Sequence, residues 1–189
     1  MGQLILITGG ARSGKSDFAE QLARQLGGDD VLFVATAEAG DDEMRRRIAA
    51  HRQARPAAWQ TLEAPRFVGK LLMEMLESRR VALVDCLTLL TSNVLLQLGE
   101  DAPIERIEQQ ALAEVDALVE ISRAAAATII VVTNEVGLGL VPPNKLGRIY
   151  RDLLGKANAQ LAAYADAVYL LVSGIPIDVK QLAVQLPLE

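Results

Sequence analysis

The residues best suited to chemistry lie in a glycine-rich stretch near the start of the chain. Residues 9–16 read Gly-Gly-Ala-Arg-Ser-Gly-Lys-Ser and match the pattern G-x-x-x-x-G-K-[ST]. An apolar run at 4–8 precedes the pattern, and a stretch with helical spacing at 16–26 follows it. Glycines let backbone N–H groups turn inward toward phosphate oxygens, Lys15 would reach the β- and γ-phosphates, and the Ser16 hydroxyl would bind Mg²⁺. The motif in this context predicts a phosphate-binding loop, or P-loop, rather than a chance glycine-rich turn.

A P-loop protein also needs an acid at the end of a second strand, which holds Mg²⁺ directly or through water. Asp85 ends the apolar run 81–84 and fits this role, although an aspartate there could instead cap a helix or close a turn. We therefore predict Mg²⁺ as the cofactor, with Ser16 and Asp85 as its protein ligands. Cys86, the only cysteine, can form neither an intrachain disulfide nor a zinc site alone, and we interpret it as a buried apolar residue.

The elements that must position these residues alternate along the chain between short apolar runs and longer amphipathic stretches. Such alternation predicts an α/β fold of the P-loop NTPase type, a mainly parallel sheet with helices on both faces, in one domain spanning 1–189. Ligands in such sheets lie beyond the carboxyl ends of the strands. The polar residues expected there are Thr8, Thr36, Asp85, Asn134 and Ser173. The predicted strands are 4–8, 31–35, 81–84, 128–133 and 167–172, and the predicted helices are 16–26, 41–55, 66–77, 104–126 and 145–164.

Composition restricts the class of partner. A formal net charge of -5 argues against a general binder of nucleic acid or membrane surfaces. The apolar run near the N-terminus lacks the length and the basic lead of a signal peptide, and no segment is long enough to span a membrane. We therefore expect a cytoplasmic protein with neither a nucleic-acid partner nor membrane insertion.

A charged segment at 41–56 carries the other chemical signal. It places five arginines, at positions 45, 46, 47, 52 and 55, around His51, the only histidine of the chain. A helix would bring Arg47 and His51 onto one face, four residues apart. The alternative is a solvated charged helix with an incidental histidine, but an arginine cluster after the second strand of a P-loop fold in an acidic protein favours a phosphate site.

The P-loop does not by itself define a reaction. A switch GTPase should carry the guanine-reading N-K-x-D after a strand. In Asn144-Lys145-Leu146-Gly147 a glycine replaces the aspartate and two prolines precede the segment, so we interpret it as a helix start and reject that class. A single-function small-molecule kinase and a non-enzymatic nucleotide-binding module remain as alternatives.

Over nearly its whole length the chain resembles the bifunctional adenosylcobinamide kinase/adenosylcobinamide-phosphate guanylyltransferases of cobalamin biosynthesis. The motifs that carry the resemblance occur in order along the chain. They are Thr8–Ser16, Ala35-Thr36-Ala37, Asp41-Asp42-Glu43-Met44, His51 with Arg55-Pro56 and Trp59, Val132-Thr133-Asn134-Glu135-Val136-Gly137, Val141-Pro142 and Val172-Ser173-Gly174.

This resemblance implies two reactions. ATP or GTP phosphorylates the hydroxyl of adenosylcobinamide, and the GMP unit of GTP is then transferred to that phosphate through a covalent histidine intermediate, with release of pyrophosphate. The matching histidine is His51, which with Lys15 gives the expected catalytic pair, and relatives form homo-oligomers, often trimers. The nucleotide contacts implied are Gly9, Gly10, Ala11, Arg12, Ser13, Gly14, Lys15, Ser16, Ala35, Thr36, Ala37, Arg52, Gln53, Ala54, Arg55, Glu63 and Asp85.

Overall fold

The computed structural model describes residues 2–38, 40, 42, 45, 46, 49, 52, 55–76 and 79–184. Its strands are β1 (Leu4–Gly9), β2 (Val31–Ala35), β3 (Gln60–Glu63), β4 (Val81–Asp85), β5 (Thr128–Val132), β6 (Ala167–Val172) and β7 (Ile175–Asp178). Its helices are α1 (Lys15–Gly27), α2 (Val68–Met75), α3 (Leu87–Leu98), α4 (Ile104–Ala124) and α5 (Lys145–Tyr164). Within the predicted charged helix, the described residues Asp42, Arg45, Arg46, Ala49 and Arg52 are helical.

The strands form one sheet in the order β3-β2-β4-β5-β1-β6-β7. All neighbouring pairs from β3 to β6 are parallel, and β7 returns antiparallel to β6 as a hairpin. The prediction of a mainly parallel sheet is therefore confirmed. Strand β5 lies between β1, which leads into the glycine-rich loop, and β4, which ends at Asp85. Parallel strands place these ends on the same edge of the sheet.

Successive side chains of the central strands enter two separate cores, because strand residues alternate between the faces of a sheet. Ile5 and Ile7 pack on one face with Ala19 and Ala23 of α1. Leu4 and Leu6 pack on the other face with residues of α2, α3, α4 and α5. Helices therefore cover both faces, as predicted. The central strands are apolar at nearly every position because neither of their faces meets water.

Local signals explain several element boundaries. Asn144 caps α5, its side-chain oxygen accepting a hydrogen bond from the Gly147 N–H at 2.6 Å, and this confirms that 144–147 begins a helix. Helix α5 has the predicted bounds, whereas α2 is two residues shorter at each end than predicted. Among the described helices none combines the length and apolar character needed to cross a bilayer.

Candidate nucleotide-binding site

The glycine-rich loop joins β1 to α1 through backbone conformations that side chains disfavour. Gly14, immediately before α1, has φ 90°, and Arg12 lies in the left-handed region at φ 56°. A Cβ at Gly14 would come within 3.2 Å of the Gly174 Cα. The Gly174 N–H in turn donates to the Ser13 carbonyl at 2.9 Å. The β6–β7 turn thus buttresses the loop, and Gly14 leaves the first N–H groups of α1 without a side-chain cap, so that they can bind an anion.

The Lys15 side chain is buried against the glycine-rich loop that precedes it. Its Nζ donates to the Gly10 carbonyl at 2.6 Å and lies 3.4 Å from the Ser13 Oγ. Burial lowers the pKa of Lys15, while the nearby Cys86 and Asp85 oppose that shift. Phosphate oxygens would supply the negative charge that this partly desolvated ammonium lacks.

Asp85 lies across the cleft from the loop, at the end of β4. Next to it, the main chain of Cys86 is tied to Thr36, whose Oγ1 accepts from the Cys86 N–H and donates to the Cys86 carbonyl, each at 2.7 Å. These bonds join the ends of β2 and β4. Because Thr36 is fully buried, its neighbours Ala35 and Ala37 line the cleft and Thr36 does not. Burial, with Asp85 adding to it, raises the pKa of Cys86 to about 11, so the thiol stays protonated at neutral pH.

Arg55 reaches the cleft from the end of the charged segment. Its guanidinium lies over the Phe33 ring, with Cζ 3.5 Å from the ring centroid. Burial lowers the pKa of Arg55, and Asp85 provides the largest opposing effect. Its Nε is buried and has no hydrogen-bond partner among the described residues. A cation with spare donors therefore stands on the cleft wall near Asp85, which suits it to bind a phosphate.

The cleft has a volume of about 380 Å³ and contains much of the predicted site. The predicted residues that line it are Ala11, Arg12, Lys15, Ser16, Ala35, Ala37, Arg55 and Asp85. Gly9, Gly10, Ser13 and Gly14 belong to the same loop but are not in the lining. Arg52 and Glu63 instead form an exposed ion pair at 3.4 Å and are not in the lining. His51, Gln53 and Ala54 lie outside the described residues.

Several residues of the cleft were not predicted as site residues. Cys86, interpreted from sequence as a buried apolar residue, lines the cleft and is only partly buried. Thr88, Leu89 and Val132 also line it, as does Asn134, which sequence singled out only as a strand-end residue. Proximity to Asp85 in the chain was the available signal for Cys86, Thr88 and Leu89, because the segment after a strand-end acid must pass along the same edge of the sheet.

Comparison with known proteins adds a family and a fold likeness. Residues 5–179 match the family model described as cobinamide kinase / cobinamide phosphate guanyltransferase. The bifunctional adenosylcobalamin biosynthesis protein CobU of Escherichia coli is 41% identical over 182 residues, covering 94% of this chain and 99% of that protein. CobP of Pseudomonas aeruginosa, which bears the same description, is 45% identical over 175 residues, covering 93% and 96%. The solved ATPase domain of G40P matches with a TM-score of 0.51 at 16% identity, over 89% of this chain and 68% of that one, a likeness of fold.

Proposed function

The chain belongs to the cobinamide kinase / cobinamide phosphate guanyltransferase family, and from this membership we propose how one cleft serves both of its reactions. It is an enzyme that phosphorylates cobinamide and then guanylylates cobinamide phosphate. We propose adenosylcobinamide as the acceptor, ATP or GTP as the donor of the first step, and GTP as the donor of the second. The products are adenosylcobinamide-GDP and pyrophosphate.

The convergence of Lys15, Arg55 and Asp85 on one cleft carries this proposal. A triphosphate lying along the loop would receive backbone N–H groups at the start of α1 and the Lys15 ammonium at its β- and γ-phosphates. In the kinase step the acceptor hydroxyl attacks the γ-phosphorus, the bond to the β–γ bridging oxygen breaks, and the hydroxyl proton passes to solvent. Catalysis of such a step consists mostly of positioning and of neutralising charge, which these residues can supply.

The same cleft suits Mg²⁺. Magnesium is commonly held by one or two carboxylates together with substrate phosphates, and the cleft places the Asp85 carboxylate and the Ser16 hydroxyl in one lining. Among the described residues there is no cluster of three or more acidic, histidine or cysteine side chains that would form a protein-only metal cage. We propose that Ser16 and Asp85 hold Mg²⁺ beside the phosphates, where the ion would neutralise developing charge.

Guanylyl transfer requires a different nucleophile, because the acceptor phosphate and the α-phosphate of GTP are both anionic. We propose that His51 attacks the α-phosphorus, that the bond to the α–β bridging oxygen breaks, and that pyrophosphate leaves. A phosphate oxygen of cobinamide phosphate then attacks the same phosphorus and displaces the imidazole. A neutral imidazole brings no like charge, since the ordinary pKa of histidine is about 6.5. Arg55, four residues along the chain and within the cleft, supports this proposal because it can hold the α-phosphate charge.

A product analysis tests the function as a whole. The purified protein is offered adenosylcobinamide with ATP, with GTP and with both, and the corrinoid products are identified by mass. A GDP-linked corrinoid is the expected product whenever GTP is present. A phosphorylated corrinoid alone would instead support the single-function kinase. Nucleotide binding without any turnover would support a non-enzymatic binding module.

The location, the assembly and the partners of the whole protein complete the proposal. We propose a cytoplasmic homo-oligomer, a trimer by resemblance to the family, with small-molecule substrates and no nucleic-acid partner. The net charge of -5 supports the exclusion of nucleic acid, because a protein that grips a phosphate backbone nonspecifically needs a basic surface.

A further inference from the structure

Strand β5 ends at the centre of the cleft, between the two strands that carry its phosphate-binding and acidic groups. Parallel pairing with β1 continues past the strand, because the Thr133 N–H donates to the Ile7 carbonyl at 2.9 Å and the Glu135 N–H to the Gly9 carbonyl at 3.0 Å. Asn134, between these two donors, therefore lies level with the first residues of the glycine-rich loop. A group at this point faces the space between Lys15 and Asp85.

A buried polar network fixes the main chain of Asn134. Its N–H donates to the Thr88 Oγ1 at 2.7 Å, and its carbonyl accepts from the Asn158 Nδ2 at 3.0 Å. Asn158 is itself oriented, since its Oδ1 accepts from the Thr133 hydroxyl at 2.7 Å. The two threonine hydroxyls lie 3.5 Å apart and both residues are buried. Two helices, α3 and α5, thus contribute one side chain each to hold a single backbone position.

The side chain of Asn134, unlike its main chain, is not part of this network. Asn134 lines the cleft together with Lys15, Ser16 and Asp85. Among the residues that the structure describes, none forms a hydrogen bond with the side-chain amide group of Asn134. An amide donor on a rigid backbone, beside a lysine and an acid, can bind a phosphate oxygen without adding a second positive charge.

We propose that Asn134 donates its Nδ2–H to an oxygen of the γ-phosphate and stabilises that group as it is transferred to cobinamide, with Thr88 and Asn158 as positioning residues. This inference rests on the proposed function, because it assigns Asn134 to the kinase step. Guanylyl transfer breaks a bond at the α-phosphorus, so the amide contact stabilises its transition state much less. Asn134 therefore separates the two reactions in the opposite sense to His51.

Binding measurements test the contact without relying on turnover. Asn134→Ala is expected to weaken binding of a non-hydrolysable GTP analogue about fivefold to tenfold, the effect of losing one hydrogen bond, and to leave GDP binding unchanged. Thr88→Val, which removes the hydroxyl at nearly constant volume, should produce a smaller loss of the same kind, and Thr88→Ser should restore wild-type affinity. Equal changes for analogue and GDP, or no change for either, would overturn the inference.

Kinetics then test the role. Asn134→Ala should lower kcat for phosphorylation of adenosylcobinamide roughly 10²-fold, while at saturating α-labelled GTP the label should enter the protein at close to the wild-type rate. Equal losses in both steps would overturn the assignment to the kinase step. A wild-type protein that binds the GTP analogue but does not phosphorylate cobinamide would contradict the proposed function instead, and the binding comparison would still decide the γ-phosphate contact.

Discussion

Two effects act in opposite directions on the charge of the Lys15 ammonium. Burial disfavours the charged form, and a bound phosphate would favour it. Its pKa is lowered because the ammonium is partly desolvated, and its bonds to the Gly10 carbonyl and the Ser13 hydroxyl replace water only in part. A triphosphate would therefore gain an oriented, poorly hydrated donor. We expect Lys15→Ala to weaken triphosphate binding by about 1.5–3 kcal/mol and to impair both reactions further.

Calorimetric titration measures the loss at Lys15, with thermal unfolding recorded in parallel. The fold should persist, because removing a buried ammonium leaves the apolar packing of α1 against the sheet unchanged. Gln21→Ala, an exposed change on the same helix, serves as the matched control and should bind like the wild type. Wild-type affinity in a folded Lys15→Ala protein would refute the site.

His51 lies outside the described residues, so its role is tested by labelling. If His51 carries GMP, the wild-type protein should acquire label from α-labelled GTP but not from γ-labelled GTP. The bond should be acid-labile and base-stable, as expected for a phosphoramidate. His51→Ala should abolish the label while phosphorylation of adenosylcobinamide persists, because we propose that this step uses the P-loop with Ser16 and Asp85 and not His51. Label retained by His51→Ala would place the covalent site elsewhere.

At the level of elements, helix α2 begins against a carboxylate from another helix. The Phe67 and Val68 N–H groups donate to Glu114 of α4 at 2.5 and 3.0 Å, after Phe67 has turned the chain at φ 56°. These two donors would otherwise lie unpaired at a helix start where Val68 is buried and Phe67 is exposed. Glu114→Ala should therefore lower the free energy of unfolding by about 1–3 kcal/mol, and Glu114→Gln, which keeps one acceptor, should lower it less.

The pH dependence of stability provides a second measurement for Glu114. Burial raises its folded pKa above the ordinary value, although its backbone donors and Arg66 oppose the shift. Between the unfolded and folded pKa values the folded chain binds more protons, so this group's contribution to stability should fall as pH rises through that window and then level off. Urea midpoints over pH should show that fall in the wild type and not in Glu114→Gln. Parallel curves for the two proteins would show that Glu114 does not titrate in this window.

The elements that sequence predicted best are those with a strong pattern on a buried surface. The five predicted strands are all present, since each is a short apolar run that fills a doubly covered sheet. Helix α3 was not predicted, because Leu87–Leu98 is apolar on nearly all sides and gives no periodic contrast. Strands β3 and β7 were also missed. Both are short edge strands, β3 half exposed and β7 containing Pro176, so neither shows the buried run of a central strand.

The candidate site was predictable where chemistry lies in a local motif. The loop from Gly9 to Ser16 and the strand-end Asp85 could be read directly, because spacing fixes their relation to a strand and a helix. The hydrogen bonds that hold the main chain of Asn134 could not be predicted from the sequence. Their partners, Thr88 and Asn158, are 46 and 24 residues away in the chain. Their contact depends on how two helices pack, and no local pattern encodes that packing.

At the scale of the whole molecule, the exposed large apolar side chains of the described residues include two groups that are each close together in the chain. One is the loop after β5, where Leu138 and Leu140 are at least 90% exposed. The other is the β7 hairpin with the residues that follow it, where Ile175, Leu182 and Val184 are exposed. Strand β7 is also an edge strand of the sheet that the described residues form, so one of its sides has no strand neighbour among them. Exposed apolar groups of this kind commonly mark surfaces that meet another protein.

The loop after β5 and the β7 hairpin are two different surfaces at which assembly can be tested. A ring of three requires each subunit to present two different surfaces, whereas a two-fold dimer uses one surface twice. We expect light scattering to give a trimer of the 20.3 kDa chain at micromolar concentration.

Ile175→Asp and Leu140→Asp should each shift the trimer toward monomer, because a charge would be buried at the interface. Leu96→Asp, at a comparably exposed apolar position on α3, is the control and should leave the mass unchanged. A stable wild-type monomer across that range would contradict the assembly, and a dimer broken only by Ile175→Asp would assign one self-complementary surface instead of two.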